Sequence, residues 1–375
     1  MIPSLYIHIP FCRRKCIYCD FYSVIESGAA VDSYTDILIE QMKNIPVDRF
    51  HTIYIGGGTP TVLNIGQLKK LLKGLERYSK NISEFTIEAN PESLDKEKAK
   101  LFFDSGINRI SIGFQSAREE KLKKLGRIHT ARKAEEAVAI AGAAGFKNIS
   151  IDLIFGLWDE SPEEWKKELE YVVKLDVTHV SCYALTYEKH TPLFDAVKNK
   201  SIVPLDDDIA ASMYEIAIDS LALRGFKQYE VSNFAKSGFE CAHNMNYWRN
   251  NTYIGLGAGA VSYMEGRRGK NVPDVKEYIR RYEMGRDLVE SSEKLSPIKR
   301  AKETAAVKIR TRDGIDFKWF KDQTGYAFCE LERKALPKLI ENGLVKYKKD
   351  GDKAIGIALK RKGFLLCDTV SSALL

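Results

Sequence analysis

Between residues 4 and 184 the sequence alternates between short runs rich in β-branched residues and longer amphipathic stretches. This alternation predicts strands at residues 4–8, 52–55, 84–89, 109–113, 148–154 and 179–184, and helices at residues 31–43, 65–78, 95–105, 131–144 and 162–174. Strands separated by helices pair in parallel through crossover connections. The sequence therefore predicts an α/β fold in which six strand–helix units form a partial (β/α)6 barrel.

The pattern changes after residue 184. Asp206 to Asp208 can begin a helix that ends near Gly225, and predicted helices at residues 300–309 and 329–341 precede two alternating strands. Asp350-Gly351 between these strands is a strong hairpin signal. We therefore expect a smaller α+β region whose C-terminal part resembles a winged-helix-like module.

Composition agrees with a large protein that keeps its thiols reduced. The chain has 375 residues, 44% of them hydrophobic, and no apolar stretch of the ~20 residues needed to span a bilayer. Four cysteines lie scattered without a disulfide framework: Cys182, Cys241, Cys329 and Cys367. A predicted strand follows Pro3 directly, so we expect a cytoplasmic protein without a signal segment. The net charge of +7 is spread over predicted helix faces, which favours solvated surfaces over nucleic-acid binding.

A C-x3-C-x2-C triplet, Cys12, Cys16 and Cys19, directly follows the first predicted strand. In parallel barrels this edge carries the functional sites. Three thiolates on a tight loop suit a [4Fe-4S] cluster that leaves one iron without a protein ligand. Structural zinc is the alternative, but it needs four ligands, and His8 is the only further candidate nearby.

The triplet and the preceding stretch from Tyr6 to Phe11 resemble the radical S-adenosylmethionine (SAM) enzymes, in particular the branch of the oxygen-independent coproporphyrinogen III oxidases. In that family SAM binds the open iron and is cleaved reductively to a deoxyadenosyl radical. The resemblance therefore implies two cofactors, a [4Fe-4S] cluster held by the three cysteines and SAM.

The resemblance also identifies SAM-binding candidates after successive predicted strands. Gly57, Gly58 and Thr59 form a glycine-rich turn that lets a ligand approach the backbone, so we expect Val at position 58 to block SAM while sparing the cluster. The remaining candidates from the resemblance are polar side chains in or after later predicted strands: Glu88, Gln115, Arg127 and Asp152. Tyr6 and Tyr18 are candidates by position, because they flank the cysteine loop, where aromatic rings can cover the adenine or shield the cluster. Capping, salt bridges or core packing are the alternative roles for such residues.

Residues 243–248 read His-Asn-Met-Asn-Tyr-Trp, which joins a potential iron ligand to aromatic residues. The segment resembles the H-N-x-x-Y-W signature of the HemW-like haem chaperones. The resemblance implies haem as a third cofactor with His243 as axial ligand, and Cys241 is the alternative ligand. We accordingly divide the chain into a barrel with the cluster and SAM site at residues 1–190, an extension carrying the haem motif at 191–297, and the winged-helix-like domain at 298–375.

Two departures separate the sequence from the coproporphyrinogen oxidases of this branch. Phe21 stands where those enzymes carry a further cysteine, and only eleven residues precede Cys12. We therefore predict a haem chaperone, without catalytic residues for decarboxylation, that delivers haem to an acceptor protein such as a respiratory haem enzyme. Two alternatives stay open: a coproporphyrinogen III oxidase, and a structural metal protein with a DNA-contacting C-terminal module. The sequence also leaves peripheral membrane contact and a homodimer open.

Overall fold

The computed structural model describes residues 2–25, 28–80 and 82–375. Its first half is the expected partial barrel, with all neighbouring strands parallel. The strands are β1 (Ser4–Ile9), β2 (Thr52–Gly57), β3 (Glu84–Ala89), β4 (Arg109–Gln115), β5 (Asn148–Phe155) and β6 (His179–Ala184). The helices are α1 (Ala29–Lys43), α2 (Ile65–Ser79), α3 (Lys96–Asp104), α4 (Glu119–Lys124), α5 (Ala131–Ala144) and α6 (Pro162–Val172). The predicted fold class is confirmed.

Alternation along β1 shows how the barrel is built. Leu5, Ile7 and Ile9 are fully buried in the hydrophobic core, while the alternate residues are polar or aromatic. Of these, Tyr6 lies against Tyr54 of β2, with ring centroids 6.2 Å apart. The barrel interior is therefore lined by side chains that can hydrogen-bond, and the outer surface of the sheet packs on the helices.

The extension continues the barrel sheet on both sides. Its helices are α7 (Pro192–Lys198), α8 (Asp207–Ala222), α9 (Ala242–Trp248) and α10 (Val275–Glu283). Strands β7 (Lys227–Gln228) and β8 (Asn233–Ala235) lie beyond β6, and β9 (Tyr253–Leu256) pairs in parallel with β1. Outside β9 follow β10 (Val261–Met264), β11 (Arg267–Asn271) and β12 (Val289–Lys294). The twelve-stranded order is β12-β11-β10-β9-β1-β2-β3-β4-β5-β6-β8-β7.

The C-terminal part combines helices with a small antiparallel sheet of order β13-β15-β14. Its elements are α11 (Pro297–Lys308), β13 (Ile315–Asp316), α12 (Phe317–Thr324), α13 (Phe328–Leu331), α14 (Ala335–Glu341), β14 (Val345–Asp350), β15 (Lys353–Leu359), α15 (Arg361–Leu365) and α16 (Cys367–Ala373). The expected hairpin is present, with Gly351 at φ 56° in its turn. The prediction of one helix at 329–341 is wrong, because Pro337 fits only the first turn of α14 and the chain breaks before it.

No helix in the described ranges is long and apolar enough to cross a membrane.

Candidate functional site

A cavity of about 440 Å³ opens at the C-terminal ends of the barrel strands. It gathers most of the residues that the sequence predicted to bind the cluster or SAM: Cys12, Cys16, Tyr18, Cys19, Gly57, Gly58, Thr59, Glu88, Gln115, Arg127 and Asp152. A wider groove of about 680 Å³ lies on the outer surface between α1 and α2. That groove is lined by charged side chains such as Lys43 and Lys73 and by none of the predicted site residues.

The cysteine loop is fixed by backbone hydrogen bonds. The Cys12 amide donates to the Val24 carbonyl at 3.0 Å, and the Cys19 amide donates to the Cys16 carbonyl at 3.3 Å. All three thiols are half-buried and line the same cavity. Three thiols facing one water-accessible space fit a cluster held by three protein ligands with room for a further ligand.

His8 does not extend this ligand set. Its Nδ1 lies 2.9 Å from the Tyr6 hydroxyl and its Nε2 lies 3.1 Å from the Tyr22 carbonyl. Burial lowers the pKa of His8, so the ring is neutral and both nitrogens are already hydrogen-bonded. Among the residues that the structure describes, no three His, Cys, Asp or Glu side chains are grouped so as to hold one metal ion, whereas in a cluster each thiolate binds a different iron. A closed zinc site with His8 as fourth ligand therefore finds no support in these contacts.

The glycine turn after β2 packs directly on the cysteine loop. The Gly58 amide donates to the Ile9 carbonyl at 2.9 Å, and a Cβ at position 58 would lie 2.8 Å from the Phe11 carbonyl oxygen and 3.0 Å from Cys12 Sγ. At Gly57, where φ is 115°, a Cβ would lie 2.5 Å from the ring of His8. These contacts argue against the expectation that Val at position 58 leaves the cysteine loop undisturbed, because the added atoms would displace the Cys12 thiol and the Phe11 backbone.

Glu88 is the penultimate residue of β3 and faces the glycine turn across the cavity wall. Its two carboxylate oxygens accept hydrogen bonds from the Tyr54 hydroxyl at 2.7 Å and from the Gly57 amide at 3.0 Å. Burial raises the pKa of Glu88 to about 7, and the nearby Asp152 carboxylate adds to the shift. Burial also raises the pKa of Asp152. Two carboxyl groups with raised pKa values beside one cavity form a site that favours a cationic ligand.

A chain of hydrogen bonds joins the glycine turn to the second cysteine. Arg127 donates to Cys16 Sγ at 3.4 Å and to Asn90 Oδ1 at 2.7 Å, while Asn90 Nδ2 donates to Thr59 Oγ1 at 2.8 Å. A Cβ at Gly113 would lie 2.5 Å from Asn90 Oδ1, so only glycine leaves room for this network. The network therefore holds the positive charge of Arg127 next to the Cys16 sulfur.

Asn90 lines the cavity and Tyr54 supports it through the hydrogen bond to Glu88, and neither was predicted from the sequence. Asn90 stands in the same short stretch as Glu88, directly before Pro91, and its position at a strand end was the available signal. Tyr54 alternates with two buried isoleucines in β2, which is a weaker signal because core tyrosines are common. Gln115, the last residue of β4, has φ 63°, an uncommon conformation for a non-glycine residue that turns the chain beside the cavity.

The structure separates the two predicted tyrosines. Tyr18 lines the cavity, whereas Tyr6 is not among the residues that line it. The Tyr6 hydroxyl bonds His8, and its ring lies 6.5 Å from that of His243. Packing in the barrel interior, the alternative role for Tyr6, is the one these contacts describe.

His243 is also placed away from the cavity, in α9 at the opposite end of the barrel. It is 1% exposed and its Nδ1 lies 2.7 Å from the hydroxyl of Thr52, the first residue of β2. The glycine turn lies at the other end of that strand, about 16 Å away at ~3.3 Å per residue. Burial, with Arg109 close by, lowers the pKa of His243 to about 3. The side chain is a neutral imidazole enclosed by protein.

Comparison with known proteins agrees with this geometry. The profile described as "Radical SAM superfamily" matches residues 6–172, and the profile described as "HemN C-terminal domain" matches residues 295–366. A protein of Lactococcus lactis subsp. lactis named "Heme chaperone HemW" is 38% identical over 91% of this chain and 90% of its own length. One of the same name from Bacillus subtilis is 36% identical over 91% of this chain and 92% of its own length.

A solved structure shares the fold. The structure described as "Coproporphyrinogen III oxidase (HemN) from Escherichia coli is a Radical SAM enzyme" superposes with a TM-score of 0.84 at 21% sequence identity. The match covers 100% of this chain and 90% of that one. The identity and coverage of the two relatives, together with this fold, show that the chain belongs to the HemW family within the radical SAM superfamily.

Proposed function

We propose that the protein is a haem chaperone that binds a [4Fe-4S] cluster, SAM and haem, and delivers haem to an acceptor haem protein. The observation that carries the proposal is the similarity over nine tenths of the chain to relatives named as haem chaperones. The cavity that gathers the three cysteines and the cation-favouring carboxylates supports the cofactor part. Respiratory haem enzymes are the acceptors we propose to test first.

In this proposal Cys12, Cys16 and Cys19 hold the cluster, and Arg127 donates a hydrogen bond to the Cys16 sulfur. The bound cluster would supply an open iron and an electron to SAM. Gly57, Gly58 and Thr59 form the wall next to that iron, and Glu88 and Asp152 balance the positive charge of SAM. Gln115 and Tyr18 line the same cavity and complete the set of proposed contacts.

Haem is assigned to the extension, residues 191–297, on the motif at 243–248, with His243 as the proposed axial ligand. The barrel at residues 1–190 then supplies the cofactor site, and the winged-helix-like domain at 298–375 packs against the motif. The Arg310 guanidinium lies 5.9 Å from the ring centroid of Trp248, the last residue of the motif. We propose a packing role for this domain because one of its charged side chains is directed at the motif.

One experiment tests binding and chemistry together. The protein is reconstituted anaerobically with iron and sulfide, titrated with haem while the Soret band is followed, and then assayed for deoxyadenosine after addition of SAM and a reductant. We expect saturable haem binding and transfer of haem to an apoprotein of a respiratory enzyme. Absence of haem binding by cluster-loaded protein would refute the proposal.

The second candidate, coproporphyrinogen III oxidase activity, shares the fold of the solved relative. An assay of CO2 release from coproporphyrinogen III on the same sample distinguishes this activity from the haem chaperone. Phe21 is 69% exposed at the rim of the cavity and offers no thiol there. We expect no CO2 release, and robust decarboxylation would favour the oxidase.

A further inference from the structure

The first turn of α9, the helix that carries His243, is hydrogen-bonded to the N-terminal end of a barrel strand. The buried carboxylate of Glu84, the first residue of β3, accepts from the Ala242 amide at 2.8 Å and from the His243 amide at 3.1 Å. Cys241 Sγ donates to the same carboxylate at 3.3 Å. These amides have no hydrogen-bond partner within the helix, so the carboxylate supplies their acceptors. Its negative charge also interacts favourably with the positive N-terminal end of the helix dipole.

Both nitrogens of the His243 ring are hydrogen-bonded. Thr52 donates its hydroxyl proton to Ser4 Oγ at 2.7 Å, so at the 2.7 Å contact with His243 it accepts a proton from Nδ1. The lone pair of His243 then lies on Nε2, where the Tyr247 hydroxyl is 3.2 Å away and can donate. The face of the ring stacks on Tyr54 at 4.9 Å. The electron pair that would bind iron is thus capped by another residue of the same helix.

The far end of the same segment is held by the C-terminal part of the chain. Arg300 of α11 donates to both the backbone carbonyl and the side-chain carbonyl of Asn250, and the Asn250 amide group donates to Glu303 at 3.1 Å. Asn250 has φ 53°, an uncommon conformation that these contacts fix. The Arg300 guanidinium also lies 3.7 Å from the ring centroid of Tyr263. The motif is therefore fastened at both ends, to the barrel by Glu84 and to α11 by Arg300.

We infer that the structure is a closed state, in which α9 packs on the N-terminal ends of β2 and β3, and that haem binds His243 only after α9 moves away from these strands. We call α9 in this role the latch. This inference rests on the proposed function, because it assumes that haem binds His243. A ligand that binds only a minor open state has its affinity reduced by the fraction of molecules that are open. Weakening the closed state must therefore tighten haem binding, the opposite of what loss of an ordinary binding residue does.

The test compares variants outside the haem ligand set. Arg300→Gln removes the clamp on Asn250, and its matched control is Arg361→Gln, which breaks a different contact of the C-terminal part, the pair with Asp219 on α8. Each hydrogen bond lost from the closed state shifts the equilibrium between the closed and open states roughly fivefold toward the open state. We expect Arg300→Gln to bind haem at least fivefold more tightly than the wild type, with Arg361→Gln unchanged.

A second variant and a direct measurement guard against misfolding of Arg300→Gln. Tyr247→Phe removes the hydroxyl from Nε2 and is also expected to tighten haem binding. In the wild type, amide hydrogen exchange of residues 242–248 should quicken on addition of haem, because the amides held by Glu84 are released. Cluster content, measured as bound iron, should stay the same in every variant, since the cysteines lie at the other end of the barrel.

The outcomes separate the latch from the function. Tighter binding in Arg300→Gln that disappears when His243→Ala is added supports the latch. Haem binding that depends on His243 but is unchanged or weaker in Arg300→Gln and Tyr247→Phe overturns the latch and leaves the proposed function standing. A wild-type protein that binds no haem overturns both, and haem binding unaffected by His243→Ala overturns the latch and moves the iron ligand elsewhere.

Discussion

SAM affinity should fall as Glu88 becomes protonated, and the pKa of this carboxyl sets the pH range over which the affinity falls. The pKa is raised to about 7 by burial and by Asp152. Glu88 is therefore about nine tenths ionised at pH 8 and about one tenth ionised at pH 6. If the cationic ligand binds only the carboxylate, its affinity should drop about tenfold between these two pH values. The sign follows from charge, since lower pH removes the negative partner of a positive ligand.

The assay is equilibrium dialysis of SAM against anaerobically reconstituted protein at pH 6, 7 and 8, with Glu88→Gln as the control. The α-amino group of SAM titrates in a similar range, at about pH 8. That contribution is common to both proteins, so the ratio of the two pH profiles isolates Glu88. Gln can accept only one of the hydrogen bonds from Tyr54 and Gly57, and we expect its affinity at pH 8 to be about 10- to 100-fold weaker. Identical pH profiles for the two proteins would refute the reasoning.

Three further predictions concern the cluster and the buried charges. Cys12→Ala should lose most of its iron and visible absorption on reconstitution, whereas the exposed Cys329→Ala should keep both; retention of a full cluster by the first variant would contradict the ligand assignment. Gly58→Ala should lower both iron content and SAM binding, because its Cβ meets the cysteine loop, and a variant with normal iron would show that the loop can yield. Lys121→Met leaves two buried carboxylates without their cation and should lower the free energy of unfolding by about 3–5 kcal/mol in urea denaturation, against less than about 1 kcal/mol for the exposed Lys100→Met; equal effects would contradict this account.

The barrel was predictable because its signals are local. Six short strands and the amphipathic helices that follow the first five were predicted, and the structure has all of them within a few residues of the predicted ends. The outer strands were not predicted. All of β12 is exposed and β11 reads Arg-Arg-Gly-Lys-Asn, so neither has a hydrophobic pattern. Their place is fixed by pairing with distant neighbours, which no local pattern reveals.

The cavity and the haem motif differ in the same way: local sequence signals place the first, and long-range contacts place the second. Residues at the ends of successive parallel strands must meet at one edge of the sheet, so a motif at each strand end was enough to gather the glycine turn with Glu88 and Gln115. His243 lies outside this rule because it is on a helix of the extension. Its position depends on Glu84 and Thr52, which begin two strands and have ordinary polar identities in the sequence. Only the fold shows that they meet.

The parallel pairing of β9 with β1 also constrains how the protein is made. Ser4 of β1 pairs with Tyr253 of β9. The edge of β1 that does not pair with β2 is therefore covered only after about two thirds of the chain has been synthesised. At ~5–20 residues per second this interval lasts on the order of 10 to 50 seconds, and an uncovered apolar strand can meanwhile associate with other chains. If the loop binds the proposed cluster, iron and sulfur would be loaded onto a correctly formed loop only after most of the chain has been synthesised. For the same reason, a fragment cut near residue 190 would leave that edge permanently bare and is expected to aggregate when expressed alone.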